Sequence, residues 1–256
     1  MLKQVEELAR RVLPLARRVL PLAARRQLVR LTRWPPVGFV RFGSLGRVRP
    51  ISAYWGSERG QPVDRYYISQ FLAGNAADVK GHVLEIGTDA YTRQFGGGKV
   101  TKSDVLHVAE NRPEVTIIGD LTSAKHIADD TFDCVILTQT LNAIFDVAAA
   151  VRTVYRILKP GGVTLVTVPG ISKVVRYDMD RWGYYWSFTT KSAERLFHDV
   201  FPPKNVEIDA RGNVLAAVSF LHGVASNELR RRQLDFVDPD YQLLITIRAV
   251  KARSGE

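Results

Sequence analysis

Three acidic residues stand at the predicted carboxyl ends of successive apolar strands, where carboxylates could bind a cofactor. Glu85 belongs to the first strand, Asp104 ends the second and Asp120 follows the third. An ionised carboxylate is a strong hydrogen-bond acceptor and suits the two hydroxyls of a ribose. Glu85 and Asp104 are 19 residues apart, close to the ~20 expected for an acid that binds a ribose after the first turn. A single such acid would more often be a helix cap, but three in order favour a nucleoside-binding edge.

The turn after the first strand narrows the class of cofactor. The stretch LEIGTDAY keeps only Gly87, followed by Thr88 and Asp89, where a dinucleotide fingerprint would have further glycines. A pyrophosphate needs close approach to the backbone and tolerates no carboxylate beside it. The turn therefore disfavours a dinucleotide and accepts a positively charged cofactor.

The elements that must position these residues alternate between short apolar strands and amphipathic helices. Near-continuously apolar strands separated by helices indicate a parallel sheet covered on both faces. The predicted fold is a doubly wound α/β domain with a mostly parallel seven-stranded sheet. The seven predicted strands are the segments HVLEIG, KVTKSDVL, VTIIGD, FDCVILTQTL, VTLVTVPG, NVEIDARG and YQLLITIRAV.

The positive charge of the chain is confined to its beginning. The net charge is +10, and the first 50 residues hold 12 basic and two acidic side chains, so the remainder is neutral. Residues 1–52 are predicted to be a basic, helical N-terminal arm and linker, with ARRVLPL repeated at 9–15 and 16–22, and residues 53–256 the α/β domain. The arm could contact an anionic membrane surface, RNA or a protein partner, or simply pack on the domain. The neutral main body argues against a nucleic acid partner.

Composition predicts a cytoplasmic protein, with peripheral membrane contact through the arm as an option. The single cysteine, Cys134, excludes an internal disulfide and fits a reducing compartment. The longest apolar runs are far shorter than the ~20 residues that cross a bilayer.

The segment after the fifth strand, SKVVRYDMDRWGYYWSFTT, predicts the acceptor site. Aromatic plates with interleaved acids and arginines suit a sugar or a polar aromatic compound. Its candidate substrate-binding residues are Tyr177, Arg181, Trp182 and Tyr185. Asp178 and, on a later helix, His222 are the candidate catalytic residues. No metal is predicted, because Asp178 and Asp180 lack a third ligand.

The series of motifs resembles the class I S-adenosylmethionine-dependent methyltransferases, especially the group that acts on small molecules. The resemblance covers roughly residues 60–250. Its most specific part is GDLTSAKHIADDTFDCVILTQTLNAIFDVAAAVRTVYRILKPGGVTLVTVP, with the LKPGG turn into the fifth strand. It implies a Rossmann-like methyltransferase fold and S-adenosyl-L-methionine as the cofactor.

The resemblance also implies roles for the strand-end residues. Gly87 lets the backbone approach the cofactor, while Glu85 and the adjacent Thr88 and Asp89 face its amino-acid end. Asp104 would bind the ribose. The remaining cofactor-binding positions are Asp120 with Leu121 for the adenine, and Thr138 with Gln139 for the methionine side.

The function predicted from these observations is methyl transfer to a small polar acceptor, with a hydroxyl of a sugar or glycan as the expected site. Methyltransferases with a similar YDMDRWG segment are found alongside bacterial glycosyltransferases, which is an association only. Two alternatives stay open. One is an RNA methyltransferase, and the other is a non-catalytic cofactor-binding subunit docked to a partner through the arm.

Overall fold

The computed structural model describes residues 21–24, 35, 37–109 and 113–253. The chain divides between Arg49 and Pro50 into two units, close to the predicted boundary at residue 52. The first unit includes a 3-10 turn, Gly43–Leu45. Most of the predicted helical arm lies outside the described residues.

A seven-stranded sheet organises the second unit. Its strands are β1 (Gly81–Ile86), β2 (Val100–His107), β3 (Ile117–Ile118), β4 (Phe132–Thr138), β5 (Leu158–Pro169), β6 (Val206–Arg211) and β7 (Leu244–Val250). Their order is β3-β2-β1-β4-β5-β7-β6. Strands β1 to β5 are parallel, whereas β7 runs antiparallel to both of its neighbours. The predicted seven-stranded, mostly parallel sheet is confirmed.

Helices cover both faces of this sheet, as the apolar strands require. They are α1 (Val63–Gly74), α2 (Ala90–Gly96), α3 (Val147–Ile157), α4 (Arg176–Trp182), α5 (Thr190–His198), α6 (Val214–His222) and α7 (Arg231–Leu234). Helices α3 and α5 contribute to one apolar cluster, and α1 and α6 contribute to the other. Strand β4 feeds side chains into both clusters, with Val135 on one face and Cys134 on the other. The doubly wound architecture follows from strands that are apolar on both faces.

Strand register brings three strand ends together at the edge where the order reverses. Ile86 pairs with Leu106, and the Gly87 amide donates to the Leu106 carbonyl over 3.0 Å. On the other side of β1, Leu84 pairs with Val135. The ends of β1, β2 and β4 therefore lie side by side, which is the position where open α/β sheets bind ligands.

One predicted strand end is wrong. Strand β2 continues to His107, so Asp104 lies inside it, paired with Leu84 of β1. The apolar residues that follow Asp104 extend the strand, because they are buried between the sheet and its covering elements.

Candidate active site

The turn after β1 is built for close approach of a ligand. Gly87 has a φ of +87°, and a Cβ placed on it would meet nothing within 4 Å. Such a backbone conformation strongly favours glycine. The turn therefore leaves open space in front of its backbone.

Glu85 holds the element that follows this turn. Its side chain is 2% exposed and accepts hydrogen bonds from the Thr92 amide (2.7 Å), the Thr92 hydroxyl (2.8 Å) and the Tyr91 amide (3.2 Å). Burial raises the pKa of the Glu85 carboxyl, against the opposing effect of these hydrogen bonds. The Glu85 carboxylate is therefore hydrogen-bonded to the first turn of α2, and these bonds hold α2 close to the Gly87 turn.

The next two predicted residues also make local contacts. The Thr88 hydroxyl accepts from the Ala90 amide over 3.1 Å. Asp89 precedes α2 and forms an ion pair with Arg93 over 3.0 Å. Both residues shape the turn.

The carboxylate of Asp104 is engaged inside the sheet. It lies 2.6 Å from His82 Nε2 and 2.9 Å from Lys102 Nζ, and it accepts from the Thr116 hydroxyl over 2.8 Å. Burial opposes its ionisation, but the hydrogen bonds from these partners hold the pKa of Asp104 below its ordinary value. This network belongs to the strand interior and leaves the predicted ribose contact without geometric support.

His107 occupies the strand end that had been expected to carry an acid. Its Nδ1 lies 3.0 Å from the Ala109 amide, which fixes the ring orientation. The ring meets Trp182 edge to face, with centroids 5.4 Å apart. This residue could have been found from the sequence, because the apolar pair Val105 and Leu106 continues the strand beyond Asp104 and leaves His107 at its end.

The turn after β3 presents Asp120 as predicted. Its Oδ1 accepts from both the amide and the hydroxyl of Thr122, each over 2.8 Å. Leu121 is 4% exposed and belongs to the core, which fixes the position of the turn. One carboxylate oxygen of Asp120 is thus bound locally, and the other makes no hydrogen bond to a described residue.

The end of β4 carries a strained residue. Gln139 has a φ of +52°, a sparsely populated conformation for a residue other than glycine. Its buried Nε2 has no hydrogen-bond partner among the described residues, and neither has the buried Oδ1 of Asn142. Buried polar atoms are rarely left unpaired, so these two amides are suited to bind a ligand.

A cavity of about 610 Å³ lies over the ends of β1 to β4. It is lined by residues of the β1 and β2 ends, the Asp120 turn, the loop after β4 and helix α4, among them Gly87, His107, Asp120, Leu121, Gln139, Asn142, Asp178, Arg181, Trp182 and Tyr185. Its volume is that of an ordinary small-ligand site. Five other predicted cofactor residues are not among the described residues that line it: Glu85, Thr88, Asp89, Asp104 and Thr138.

The aromatic segment covers this cavity and is tied to the loop after β4. The amides of Tyr185 and Trp186 both donate to the Asn142 carbonyl, over 2.8 Å and 3.3 Å. The Trp186 indole donates to the Ile144 carbonyl over 3.0 Å. Tyr177 instead stacks under the Arg181 guanidinium, 3.5 Å from its ring centroid, and is not among the described lining residues.

A second cavity of about 360 Å³ adjoins the first. It is lined by the ends of β4 and β5, the start of β7, the first turn of α1 and the segment before α1, including Tyr54, Trp55, Asp64, Arg65, Pro169, Tyr184, Phe220 and Leu244. Gln139, Asn142 and Asp178 line both cavities. The sequence did not identify this second space, because its walls come from segments far apart in the chain.

His222 lies elsewhere. Its carbonyl accepts from the amides of Ile51 (2.8 Å) and Ser52 (3.1 Å), and it is not among the described residues that line either cavity. The proposed catalytic role of His222 therefore has no support from its position. Among the described residues, no group of three His, Cys, Asp or Glu side chains could hold a metal ion. No helix in the described part of the chain is long and apolar enough to span a bilayer.

Comparisons with known proteins agree with this architecture. Residues 84–166 match the family described as "Methyltransferase domain". The chain is 34% identical over 92 residues to the ubiquinone/menaquinone biosynthesis C-methyltransferase UbiE of Haemophilus ducreyi, and 34% identical over 106 residues to that of Pasteurella multocida. These alignments cover 35% and 34% of this chain, and 29% and 40% of the two relatives. The chain therefore spans well under half of the length of the curated relatives it matches.

A solved structure extends the likeness to the whole fold. The S-adenosylmethionine-dependent methyltransferase of Archaeoglobus fulgidus is similar over 78% of this chain and 100% of its own, with a TM-score of 0.51 and 12% identity. At this identity the likeness concerns the fold alone. The chain has the Rossmann-like fold of the class I S-adenosylmethionine-dependent methyltransferases, and its residues 84–166 match the methyltransferase-domain family.

Proposed function

We propose that this protein transfers a methyl group from S-adenosylmethionine to a hydroxyl of a small polar acceptor, with a sugar or glycan as the expected class. The observation that carries the proposal is the 610 Å³ cavity over the ends of β1 to β4, because these strand ends belong to the segment 84–166 that matches a methyltransferase domain. When bound, S-adenosylmethionine supplies an electrophilic methyl group on a positively charged sulfur.

The residues of the first cavity fit this cofactor. Its lining includes three acids, Asp120, Asp146 and Asp178, against one arginine, Arg181, among the described residues. An acidic lining suits a cofactor whose sulfonium and ammonium groups outnumber its carboxylate. The open space in front of Gly87 lets the cofactor approach the backbone.

Each part of the cavity has a proposed task. The Asp120 turn holds the adenine, with Leu121 as the apolar floor beside it. His107 faces the ribose in place of the predicted Asp104. Gln139 and Asn142 direct their unpaired amide groups to the region where the reacting groups meet.

Asp178 is the proposed proton acceptor. Asp178 lines both cavities, so we place its carboxylate beside a hydroxyl that approaches the methyl group from either one. Methyl transfer needs the attacking oxygen, the methyl carbon and the sulfur in line, and a positioned base removes the hydroxyl proton. Arg181, Trp182 and Tyr185 of the covering segment close the first cavity next to Asp178.

A carbon acceptor is the second candidate. It is favoured by the two relatives, which are named C-methyltransferases. The covering segment 172–190, which would contact the acceptor, lies beyond the residues 84–166 that match the family. The family match therefore supports the identity of the cofactor more than the identity of the acceptor. An RNA acceptor is supported only by the arm, most of which lies outside the described residues. A non-catalytic role is supported by the single glycine of the turn after β1 and by the lack of an obvious base in the sequence.

Asp120→Ala is expected to weaken binding of S-adenosylhomocysteine about tenfold, because the adenine loses a hydrogen-bond partner and the turn loses its Asx contact. Stability should fall by only about 1 kcal/mol or less, since the turn is exposed. Isothermal titration calorimetry against S-adenosylhomocysteine measures the affinity. Asp129→Ala, on an exposed acid outside the cavity, is the control. Equal affinities for the two variants would remove Asp120 from the adenine site, and no binding by the unaltered protein would refute the proposed cofactor.

A further inference from the structure

The second cavity occupies a defined place relative to the first. The first cavity lies over the ends of β1, β2, β3 and β4, whereas the second lies over the ends of β4 and β5 and the start of β7. A cofactor whose adenosyl part lies in the first cavity would leave the second cavity for another ligand. Its volume of about 360 Å³ is enough for one small ring compound.

The junction between the cavities is polar and unpaired. Asn142 is 7% exposed, lines both cavities, and its Oδ1 has no hydrogen-bond partner among the described residues. Gln139 adds an amide Nε2 that is likewise unpartnered in the described part of the chain. Among the described residues, the two cavity linings share only Gln139, Asn142 and Asp178. The junction therefore offers one hydrogen-bond acceptor atom, from Asn142, and one donor atom, from Gln139. A ligand hydroxyl, which both donates and accepts, matches this pair.

Aromatic side chains form the walls of the second cavity. Tyr54, Trp55, Tyr184 and Phe220 all line it. Trp55 is held in place by Lys173, whose ammonium lies 4.1 Å from the indole centroid and donates to the Ala53 carbonyl. Trp55 also has a φ of +58°, a strained conformation for a residue other than glycine. Fixed aromatic plates of this kind stack against flat or ring-shaped ligands.

Two carboxylates complete the lining. The side chain of Asp64 is 13% exposed, and its nearest cation is the Arg65 Nε at 3.9 Å. The Arg65 guanidinium donates a hydrogen bond to the Tyr91 hydroxyl over 3.2 Å. With Asp178, the cavity presents two acids against the single guanidinium of Arg65, so its described lining carries a net negative charge. The two acids accept hydrogen bonds from hydroxyls, and the net charge disfavours phosphate or carboxylate groups.

From these observations we infer that the second cavity is the acceptor site and that it binds an uncharged pyranose ring. The ring stacks on Trp55 and Tyr184, its hydroxyls bond Asp64 and Asp178, and the reacting hydroxyl points through the Gln139–Asn142 junction towards the cofactor. This inference rests on the proposed function and deepens it. The sequence predicts acceptor contacts at Tyr177, Arg181, Trp182 and Tyr185. The inference instead places the acceptor in the second cavity, which none of these four residues lines.

The test uses saturation-transfer NMR on the full chain saturated with S-adenosylhomocysteine. The probes are the methyl α-pyranosides of glucose, galactose, mannose and rhamnose at millimolar concentration. At least one probe should receive saturation from the protein. Its affinity should fall at least tenfold in Asp64→Asn and in Trp55→Ala, and should be unchanged in the control Phe236→Ala, an exposed aromatic residue outside both cavities.

Calorimetry with S-adenosylhomocysteine accompanies each variant, so a variant that fails to fold is recognised. Asp64→Asn preserves side-chain size and carries the test if Trp55→Ala is unstable. Saturation that disappears in Tyr185→Ala but persists in Asp64→Asn and Trp55→Ala would place the acceptor in the first cavity and overturn the inference. S-adenosylhomocysteine binding without any pyranoside binding would also overturn it, while leaving the proposed cofactor intact. Absence of S-adenosylhomocysteine binding to the unaltered protein would instead refute the proposed function.

Discussion

Replacing Asp104 by asparagine is expected to lower the free energy of unfolding by roughly 2–4 kcal/mol while leaving the affinity for S-adenosylhomocysteine unchanged. The carboxylate is 6% exposed and is held by His82, Lys102 and Thr116. Asparagine retains one oxygen but loses the charge that these partners surround. Urea denaturation measures the stability and calorimetry the affinity.

The same variant should change the response of stability to acid. The folded-state pKa of Asp104 is lowered, so its carboxylate stabilises the protein above the unfolded-state pKa of ~3.9 and loses that contribution as the pH falls through the folded-state value. Asp104→Asn should therefore show a smaller loss of stability below pH 4 than the unaltered protein.

Asp209→Asn provides the control for this pair of measurements. Asp209 forms an ion pair with Arg211 over 2.7 Å, but the two side chains are 60% and 42% exposed. An exposed pair contributes little, so its loss should change stability by about 0.5 kcal/mol or less. A tenfold loss of S-adenosylhomocysteine affinity in Asp104→Asn, without a loss of stability, would restore Asp104 to the ribose site.

Gly87→Val is expected to weaken S-adenosylhomocysteine binding by at least a hundredfold. The branched side chain would occupy the open space in front of the turn, where the cofactor must approach the backbone. The φ of +87° adds a backbone strain on the order of 1–3 kcal/mol. Calorimetry again reports the affinity.

Gly97→Val separates the strain from the steric effect. Gly97 has a φ of +55° and open space around its Cβ position, but it is not among the described residues that line either cavity. Both variants should lose similar stability, and only Gly87→Val should lose affinity. Equal affinities in the two variants would mean that the Gly87 turn does not face the cofactor.

The fold could be predicted from the sequence because its signal is local. The run Phe132–Thr138 is apolar at nearly every position, which few structures other than a doubly covered strand accept. Helix α3 is capped by Asp146, whose side chain accepts from the Ala149 amide, and its apolar face is visible in the spacing of its residues. Such features depend on neighbours within a few positions.

The candidate site was predictable where a residue's role follows from its place in a strand or turn. Gly87, Asp120 and Gln139 fall in the first cavity because each lies within two residues of the end of a strand. Asp104 did not, because a spacing of 19 residues fixes no strand end, and a strand carries a buried acid when partners surround it. Glu85 lies on β1 as predicted, but its carboxylate accepts hydrogen bonds from the amides of α2 and is not among the described residues that line the cavity.

The second cavity could not be predicted, because its walls meet only in the folded chain. Asp64 begins a helix before β1, Tyr184 follows β5, and Phe220 lies on α6. No periodicity or spacing links these three positions. The association with glycosyltransferases stays a prediction, as do the role of the arm and the location of the protein in the cell.

The most direct test is transfer of a radiolabelled methyl group from S-adenosylmethionine into extract of the host organism, fractionated into glycans, small polar compounds, lipids, RNA and protein. Label is expected in the glycan or small polar fraction, and Gly87→Val should abolish it while Gly97→Val retains it. Label confined to RNA or protein would contradict the proposed acceptor. Absence of label from every fraction, with no measurable binding of S-adenosylmethionine, would contradict the central claim that this chain is a working methyltransferase.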